Sequence, residues 1–271
     1  MKDHADGADG GQIDLLGEDE PAPYEIYNPD GTADVLLLCD HARNFIPRAL
    51  DQLGLAPEHL ERHIAYDIGI APVTRRLAEA LDAVAVLSTF SRLIVDPNRR
   101  LDDPTLIPAV ADGTIVPGNR DLDRDAVMAR FAYFYRPYHR AIAAKLDAMR
   151  RDGRYPALIS MHSFTPVMHG RLRPWEVGIL WSLDSRLPVP LIQALSARGH
   201  CVGDNEPYSG RGDHGYTQQI HGDQRGLANV LIELRQDLID TRHGQLAWAD
   251  ILVEVLHDIL KDSELYRART D

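Results

Sequence analysis

The chain has 271 residues, of which 44% are hydrophobic and 26% charged, the composition of an ordinary globular protein. This length can bury one large core or at most split into two domains. The net charge of −12 at pH 7 argues against a nucleic-acid partner, because a protein that binds the phosphate backbone presents a basic face. No apolar run approaches bilayer-spanning length and the acidic N-terminus is unlike a signal peptide, so we expect no membrane partner.

The cysteines and the N-terminal composition bear on location and domain boundaries. Cys39 and Cys201 lie in apolar or sheet-like sequence, which predicts buried thiols rather than a disulfide. That usage is typical of a reducing cytoplasm, the predicted location. Residues 1–22 are rich in Asp, Gly and Glu and predict a disordered acidic tail. Residues 23–271 are predicted to form a single domain.

Predicted strands and helices alternate along the chain. A continuous apolar run at 35–39 predicts a strand covered on both faces, 70–81 has helical spacing, and 83–87 returns to strand. A long helical stretch at 121–151 is expected to break or bend near Pro137. The remaining elements are strands beginning at Ala157 and at 176–181, 202–203 and 229–234, and helices at 188–198 and 246–260. The alternation predicts an α/β fold of three layers, with a mostly parallel mixed sheet covered by helices on both faces.

Two segments, 96–120 and 204–225, are too long to be simple connections. Long loops in compact domains are usually binding loops or disordered segments. Both segments carry Asn, Tyr, His or Arg side chains, which favours binding.

Three polar residues occur at the ends of predicted elements. His41 follows the first strand, Asp67 precedes the first helix, and His162 follows the strand that begins at Ala157. Because parallel strands present their carboxyl ends at one edge, where ligands bind, these side chains can meet there. Two histidines and a carboxylate at that edge predict a catalytic site for one zinc ion, with the fourth position left to water. Each residue alone has a simpler explanation: a hydrogen-bonded structural histidine, or an aspartate that caps a helix.

Glu233 lies in a buried strand, where an acid is costly unless it is paired or used. It is the predicted general base, which would take a proton from water and pass it to the leaving nitrogen. The alternative is a salt bridge with Arg235 or another arginine.

Arg92 and Arg99 flank a short apolar run at the start of the first long loop. Arginine binds carboxylates in bidentate fashion, so both are candidates for holding an anionic substrate. The alternative is that Arg92 pairs with Asp96, or Arg99 with Asp102, and only fixes the loop.

Several motifs in register resemble the N-formylglutamate amidohydrolase (deformylase) family, and they span Leu36 to about Ile239. They are "CDHARNFIP", "HIAYDIGI", "SRLIVDPNR", "MHSFTP", "GDNEPYSG", "HG" at 221–222 and "IELRQDLI". Their order is also similar to that of the zinc-dependent N-acetylmuramoyl-alanine amidases and, more remotely, the zinc carboxypeptidases and aspartoacylases. That similarity implies a zinc exopeptidase-like, phosphorylase/hydrolase-like sheet covered on both faces.

The resemblance also implies roles for individual residues. The family pattern of two histidines, an intervening acid and a late glutamate is matched by His41, His162, Asp67 and Glu233. Carboxypeptidase-like enzymes place a glutamate where this chain has Asn44, so the carboxylate ligand is taken as Asp67, with Asp40 as the alternative.

The "NEPYSG" and "HG" motifs place Asn205, Tyr208 and His221 near the substrate by the same resemblance. Asn205 could instead be a turn residue. The first motif is "CDHARN" rather than the "PHSG"-like form of formylglutamate enzymes, which indicates a divergent branch.

The predicted function is that of a zinc-dependent amidohydrolase acting on a small anionic N-acyl amino acid. The resemblance implies N-formyl-L-glutamate, cleaved to formate and glutamate as in histidine degradation. Two alternatives remain: a hydrolase of another amide such as a cell-wall peptide, and a binding protein for an anionic metabolite without turnover. A closed pocket lined by arginines would favour formylglutamate, and an open, shallow groove the cell-wall peptide.

Overall fold

The computed structural model describes residues 14–212 and 215–269. The strands of this part are β1 (Tyr24–Tyr27), β2 (Val35–Cys39), β3 (Val84–Ser88), β4 (Val110–Ala111), β5 (Thr114–Ile115), β6 (Ala157–Phe164), β7 (Val167–Met168), β8 (Arg171–Leu172), β9 (Val177–Leu180), β10 (Val202–Asp204) and β11 (Asn229–Arg235). Its α-helices are α1 (Pro57–Leu60), α2 (Ile70–Leu81), α3 (Arg124–Arg130), α4 (Arg136–Arg151), α5 (Pro188–Ala197), α6 (Tyr216–His221) and α7 (Arg242–Ile259).

The main sheet has the strand order β1-β3-β2-β6-β11-β9-β10. Its four central strands, β3, β2, β6 and β11, run parallel to one another. Strand β1 is antiparallel to β3, and β9 is antiparallel to β11. The carboxyl ends of β2, β6 and β11 therefore share one edge of the sheet, as the sequence predicted.

Helices cover both faces of the sheet. On one face α2, α5 and α7 bury side chains such as Leu77, Leu191 and Leu252 against the strands. On the other face the core includes Phe134 and Tyr138, from the segment containing α4. Strands buried on both faces explain the unbroken apolar runs of β2 and β3. The predicted three-layer α/β fold with a mostly parallel mixed sheet is confirmed.

The long helical stretch is continuous, and its irregularity precedes Pro137. Helix α3 passes through a π-helical turn at Phe131–Tyr135 into α4. Proline cannot donate a backbone hydrogen bond, and its ring crowds the carbonyl four residues earlier. A π turn removes the regular pairing just before the proline, so the helix continues where the sequence predicted a break or bend.

Other differences from the prediction concern an edge strand of the sheet, the two long loops and one cysteine. Strand β1 was not predicted, and the two long loops contain the β4–β5 hairpin and α6. Cys39 is buried, as predicted, and burial raises the pKa of its thiol. Cys201 is exposed, contrary to the prediction, because it precedes the edge strand β10.

In the described part of the chain, no helix combines the length and apolar character needed to cross a bilayer.

The predicted tail at 1–22 falls largely on residues 1–13, which lie outside the described residues. In its described part, Leu15 is buried in the core. The backbone N–H of Arg48 donates to Glu20 Oε1 over 2.8 Å. Residues 14–22 therefore pack against the domain.

Candidate metal and hydrolase site

Three loops and strands converge at the carboxyl edge of the sheet. His41 lies two residues beyond β2, and His162 lies inside β6 rather than after it. The Asp67 N–H donates to the His41 carbonyl over 3.0 Å, which ties the two loops together. Asp67 is not the α2 cap, since Gly69 occupies that position. The capping explanation for Asp67 therefore does not hold.

The side chains of His41, Asp67 and His162 are all buried and form a compact group. One potential ligand atom of each lies within 4.8 Å of the other two. Asp67 Oδ2 is 3.4 Å from His41 Nδ1 and 3.0 Å from His162 Nδ1. The Ser163 N–H also donates to that oxygen, over 3.1 Å. The predicted convergence of the three side chains is confirmed.

The other nitrogen of each imidazole faces a second carboxylate. His41 Nε2 is 2.7 Å from Asp96 Oδ1, and His162 Nε2 is 3.1 Å from Asp40 Oδ2. The Tyr138 hydroxyl donates to the remaining oxygen of Asp40 over 2.7 Å. Asp40, the alternative ligand, thus lies behind His162 and outside the three-residue group.

The carboxylates control the protonation of both histidines. Burial and the Arg92 guanidinium act against protonation of His41, but Asp96 and Asp67 outweigh them and raise its pKa. Burial likewise opposes protonation of His162, and its hydrogen bonds to Asp40 and Asp67 raise its pKa well above the usual value. Burial alone would raise the pKa of Asp67, but the two histidines lower it. The site therefore favours positive charge.

These residues fit a divalent metal ion. Both Nδ1 atoms face the Asp67 carboxylate, which makes a two-nitrogen, one-oxygen donor set of the kind that binds catalytic zinc. Each histidine has its Nε2 on a carboxylate, the outer-shell arrangement that orients metal-binding imidazoles. Asn44, at the position of the carboxypeptidase glutamate, instead donates to the Leu60 carbonyl over 2.9 Å.

Glu233 lies beside His162 on the neighbouring strand. The two residues are directly paired in the β6–β11 register, and on the other side Glu233 is paired with Gly178 of β9. Glu233 is buried, and its Oε2 has no hydrogen-bond partner among the described residues. Burial raises the pKa of Glu233 to about 7 against the opposing charge of His162. Arg235 pairs with Asp237 instead, so the predicted alternative of a Glu233–Arg235 bridge does not hold.

A cavity of about 100 Å³, here called the inner chamber, opens onto this cluster. Its lining residues are His41, Asp67, Arg92, Asn98, Arg99, His162, Ser163, Leu180, Tyr208, Gly215, Leu231 and Glu233. The three candidate ligands and the candidate base therefore share one space.

Both predicted arginines line the inner chamber, and both lie near Asp96. The Arg92 Nε and Nη2 atoms donate to Asp96 Oδ2 over 3.0 and 2.6 Å, and its Nη1 donates to Asp67 over 3.4 Å. Arg99 Nε is 3.9 Å from the same Asp96 oxygen. Arg92 is thus held by Asp96, as the alternative explanation proposed.

The three residues from the second long loop have different surroundings. Tyr208 lines the inner chamber, and its hydroxyl accepts a hydrogen bond from Arg173 over 3.0 Å. Gly178 admits this loop, because a Cβ there would lie 2.2 Å from the Glu206 carbonyl oxygen. Asn205 does not line the chamber; its Oδ1 accepts from the backbone N–H groups of Trp181 and Gly210, as expected for a turn residue.

His221 was predicted to lie near the substrate. In the structure it does not line the inner chamber. Its Nε2 is 3.0 Å from His139 Nδ1, and the two rings stack at 5.3 Å. The other His139 nitrogen donates to the Pro97 carbonyl over 3.0 Å. Burial lowers the pKa of both imidazoles, that of His221 to about 3. The pair therefore supports the segment that carries Asn98 rather than contacting the cavity.

The sequence did not assign a site role to Asp96, Asn98 or Ser163. Asp96 links Arg92 to His41, and Asn98 accepts a hydrogen bond from the Thr217 N–H over 3.0 Å. Asp96 and Asn98 lie between the two candidate arginines, and Ser163 directly follows His162, so nearness to predicted site residues was the available signal.

The fold and site together define an α/β protein with a buried His–Asp–His cluster beside an unpaired acid, an arrangement typical of a metal-dependent hydrolase. The chain belongs to the N-formylglutamate amidohydrolase family, whose profile matches residues 33–240.

Individual relatives agree with this membership. The chain is 27% identical over 206 residues to an N-formylglutamate deformylase from Pseudomonas aeruginosa, covering 68% of this chain and 75% of the relative. The crystal structure of gene product Atu2144 from Agrobacterium tumefaciens matches with a TM-score of 0.90 and 35% identity, over 93% of this chain and 100% of that one. An N-formylglutamate amidohydrolase from Ralstonia eutropha JMP134 shares the fold, with a TM-score of 0.71 and 22% identity over 89% and 98% of the two chains.

Proposed function

We propose that the protein is a zinc-dependent amidohydrolase of small N-acyl amino acids, with N-formyl-L-glutamate, cleaved to formate and glutamate, as the reference substrate. The observation that carries the proposal is the His41–Asp67–His162 cluster in one cavity with the unpaired carboxylate of Glu233. The named activities of the Pseudomonas and Ralstonia relatives support the choice of reference substrate.

The three clustered side chains would hold the zinc ion. When bound, zinc polarises an amide carbonyl and lowers the pKa of water. Asp96 and Asp40 hold the two imidazoles by their Nε2 atoms, which leaves both Nδ1 atoms directed at the position between them. This bracing fixes the tautomer and the ring orientation before a ligand arrives.

Glu233 would move the proton. Glu233 lines the inner chamber and its Oε2 has no hydrogen-bond partner among the described residues, so the carboxylate can accept a proton from the attacking water. The same carboxyl can then deliver that proton to the amide nitrogen as the carbon–nitrogen bond breaks. Formate and an amino acid leave, and Glu233 returns to its ionised form.

The arginines would hold the substrate's carboxylate. Arg92 and Arg99 both line the inner chamber, and a guanidinium group binds a carboxylate in bidentate fashion, so an anionic group is favoured beside them. A small chamber lined by arginines supports an acyl amino acid over a cell-wall polymer as the substrate class.

The test is amine release from N-formyl, N-acetyl and N-succinyl amino acids by purified, zinc-loaded protein. We expect hydrolysis that a chelator abolishes and zinc restores. A protein that binds one zinc ion per chain but releases no amine from any of them would support the binding-protein alternative.

A further inference from the structure

Arg173 is a half-buried arginine that follows strand β8 and does not itself line the inner chamber. Its Nη1 atom donates to the Tyr208 hydroxyl over 3.0 Å and to Thr165 Oγ1 over 3.4 Å. The guanidinium carbon also lies 4.9 Å from the centre of the Tyr208 ring and 5.8 Å from that of Phe164. Among the described residues, the side-chain partners of this guanidinium group are therefore hydroxyl groups and aromatic faces, to which a cation is attracted.

These contacts join the second long loop to the central sheet. Phe164 is the last residue of β6, the strand that carries His162, and Thr165 follows it directly. Tyr208 belongs to the second long loop, 35 positions beyond Arg173. Arg173 thus fixes Tyr208 relative to the strand that carries a candidate metal ligand.

The backbone next to Tyr208 lies on the face of the sheet that carries the Glu233 side chain. Gly178 of β9 is directly paired with Glu233 in the antiparallel register, and residues paired in this way direct their side chains to the same face. A Cβ on Gly178 would collide with the Glu206 carbonyl oxygen, so the loop occupies the place of a side chain there. Two residues further on, Tyr208 lines the inner chamber together with Glu233.

The contact with Arg173 limits what the Tyr208 hydroxyl can do. A guanidinium group can only donate, so the phenol oxygen accepts from Arg173 and its own hydrogen is directed elsewhere. Burial and the Glu233 carboxylate raise the pKa of Tyr208, although Arg173 opposes this rise, so the phenol keeps its proton at neutral pH. A fixed hydroxyl donor beside a reacting amide stabilises an oxygen that gains negative charge.

On these grounds, and resting on the proposed amidohydrolase activity, we propose that Arg173 is a positioning residue for Tyr208, whose hydroxyl donates to the amide oxygen of the substrate. That oxygen gains negative charge as water adds to the amide carbon, and loses it when the carbon–nitrogen bond breaks. Tyr208 keeps its proton throughout, because Glu233 carries the proton from water to the leaving nitrogen. Arg173 acts through Tyr208 and does not contact the substrate.

The test is a double-mutant cycle on the zinc-loaded full chain, with the N-acyl amino acid from which it releases amine fastest. Tyr208→Phe keeps the ring and removes the hydroxyl. Its kcat should fall by about 10²-fold with little change in KM, because the lost interaction is made only in the transition state. Arg173→Met should lower kcat by about tenfold, since a misplaced donor is less effective. The double variant should lose no more than Tyr208→Phe alone, because Arg173 acts through the missing hydroxyl.

Arg171→Met is the matched control. Arg171 is an exposed arginine of β8, two positions from Arg173, and does not line the inner chamber. This variant should leave kcat and KM unchanged. Arg173→Lys keeps a positive charge and a donor, and should retain more activity than Arg173→Met. Chemical denaturation shows that each variant is folded under the assay conditions.

Two results would overturn the inference while leaving the hydrolase intact. One is a full extra loss of kcat when Arg173→Met is added to Tyr208→Phe, because independent effects would mean that Arg173 only supports the fold. The other is an unchanged kcat in Tyr208→Phe. A wild-type protein that releases no amine from any N-acyl amino acid would instead overturn the proposed function, and this inference with it.

Discussion

The molecule contains two buried histidine pairs that differ in their carboxylate partners. His41 and His162 lie edge-on, with ring centres 5.0 Å apart, and contact Asp67, Asp96 and Asp40. The pKa values of both imidazoles, His41 and His162, are raised. His139 and His221 stack on each other, and among the described residues neither imidazole forms a hydrogen bond or ion pair with a carboxylate. The pKa values of both are lowered.

The comparison shows that burial alone does not make a histidine pair functional. Burial disfavours the charged imidazole in both places, and only the surrounding acids reverse its effect. Three carboxylates around one pair create a site for a cation, whereas the other pair holds a proton between two neutral rings. Substitutions in and around each pair test this distinction.

Removing a ligand from the first pair should have the largest effect. His162→Ala deletes one nitrogen donor and leaves Asp40 and Asp67 without their shared partner. We expect loss of stoichiometric zinc and a fall in kcat/KM of at least about 10⁴-fold, because the Lewis acid is lost with the ligand. Metal content and turnover measure this effect. Retention of zinc and near-normal turnover would show that the cluster is not the metal centre.

Glu233→Gln should have the second largest effect on turnover. The amide keeps the shape of the side chain but cannot accept the proton, so kcat should fall by about 10²–10⁴-fold. Zinc content should be unchanged, which separates this variant from His162→Ala. Turnover near the wild-type rate would end the assignment of Glu233 as the base.

Asp96→Asn tests the outer carboxylate of the first pair. It keeps a hydrogen-bonding group beside His41 Nε2 but removes the charge, and should weaken zinc binding by about 10–100-fold. Competition with a chromophoric chelator measures the affinity. Asp102→Asn is the matched control, since Asp102 is exposed in the same loop and pairs with Arg100. Equal affinities for the two variants would mean that Asp96 does not support the metal site.

The second pair should matter for stability far more than for turnover. His221→Phe preserves the stacked ring but leaves His139 Nδ1 without its donor, at a cost of about 1–3 kcal/mol in the free energy of unfolding. Turnover under conditions where the protein stays folded should change by less than about threefold. Chemical denaturation and steady-state kinetics check the two parts, and a large loss of kcat in a fully folded variant would contradict the structural role.

The same variant has a pH signature. In the folded protein the pKa of His221 is about 3, below the ordinary 6.5, so the unfolded chain binds more protons between those values. Wild-type stability should therefore fall as the pH drops below 6.5, and His221→Phe should show a smaller fall. Identical pH dependence of unfolding in the two proteins would argue against a neutral buried His221.

Most of the main strands and helices, and the edge of the sheet where the site lies, could be predicted from the sequence. The helix at Ile70–Leu81 and the strand at Val35–Cys39 occur as predicted, because apolar periodicity directly records which faces are buried. Parallel strands must present their carboxyl ends together, so His41 and His162 could be assigned to one edge without coordinates. Glu233 could be singled out because an acid in an apolar strand is costly without a purpose.

Which polar groups contact each other could be learned only from the folded structure. Asp96 contacts His41 from 55 positions away, and His221 contacts His139 from 82 positions away. Periodicity records the burial of a residue but not its partner across the fold, since side-chain hydrogen bonds depend on loop paths that local sequence does not specify. For that reason His221 was predicted near the substrate but contacts His139 outside the inner chamber. Asp96 was predicted to form only a loop-fixing ion pair with Arg92, and it also contacts His41 of the candidate metal cluster.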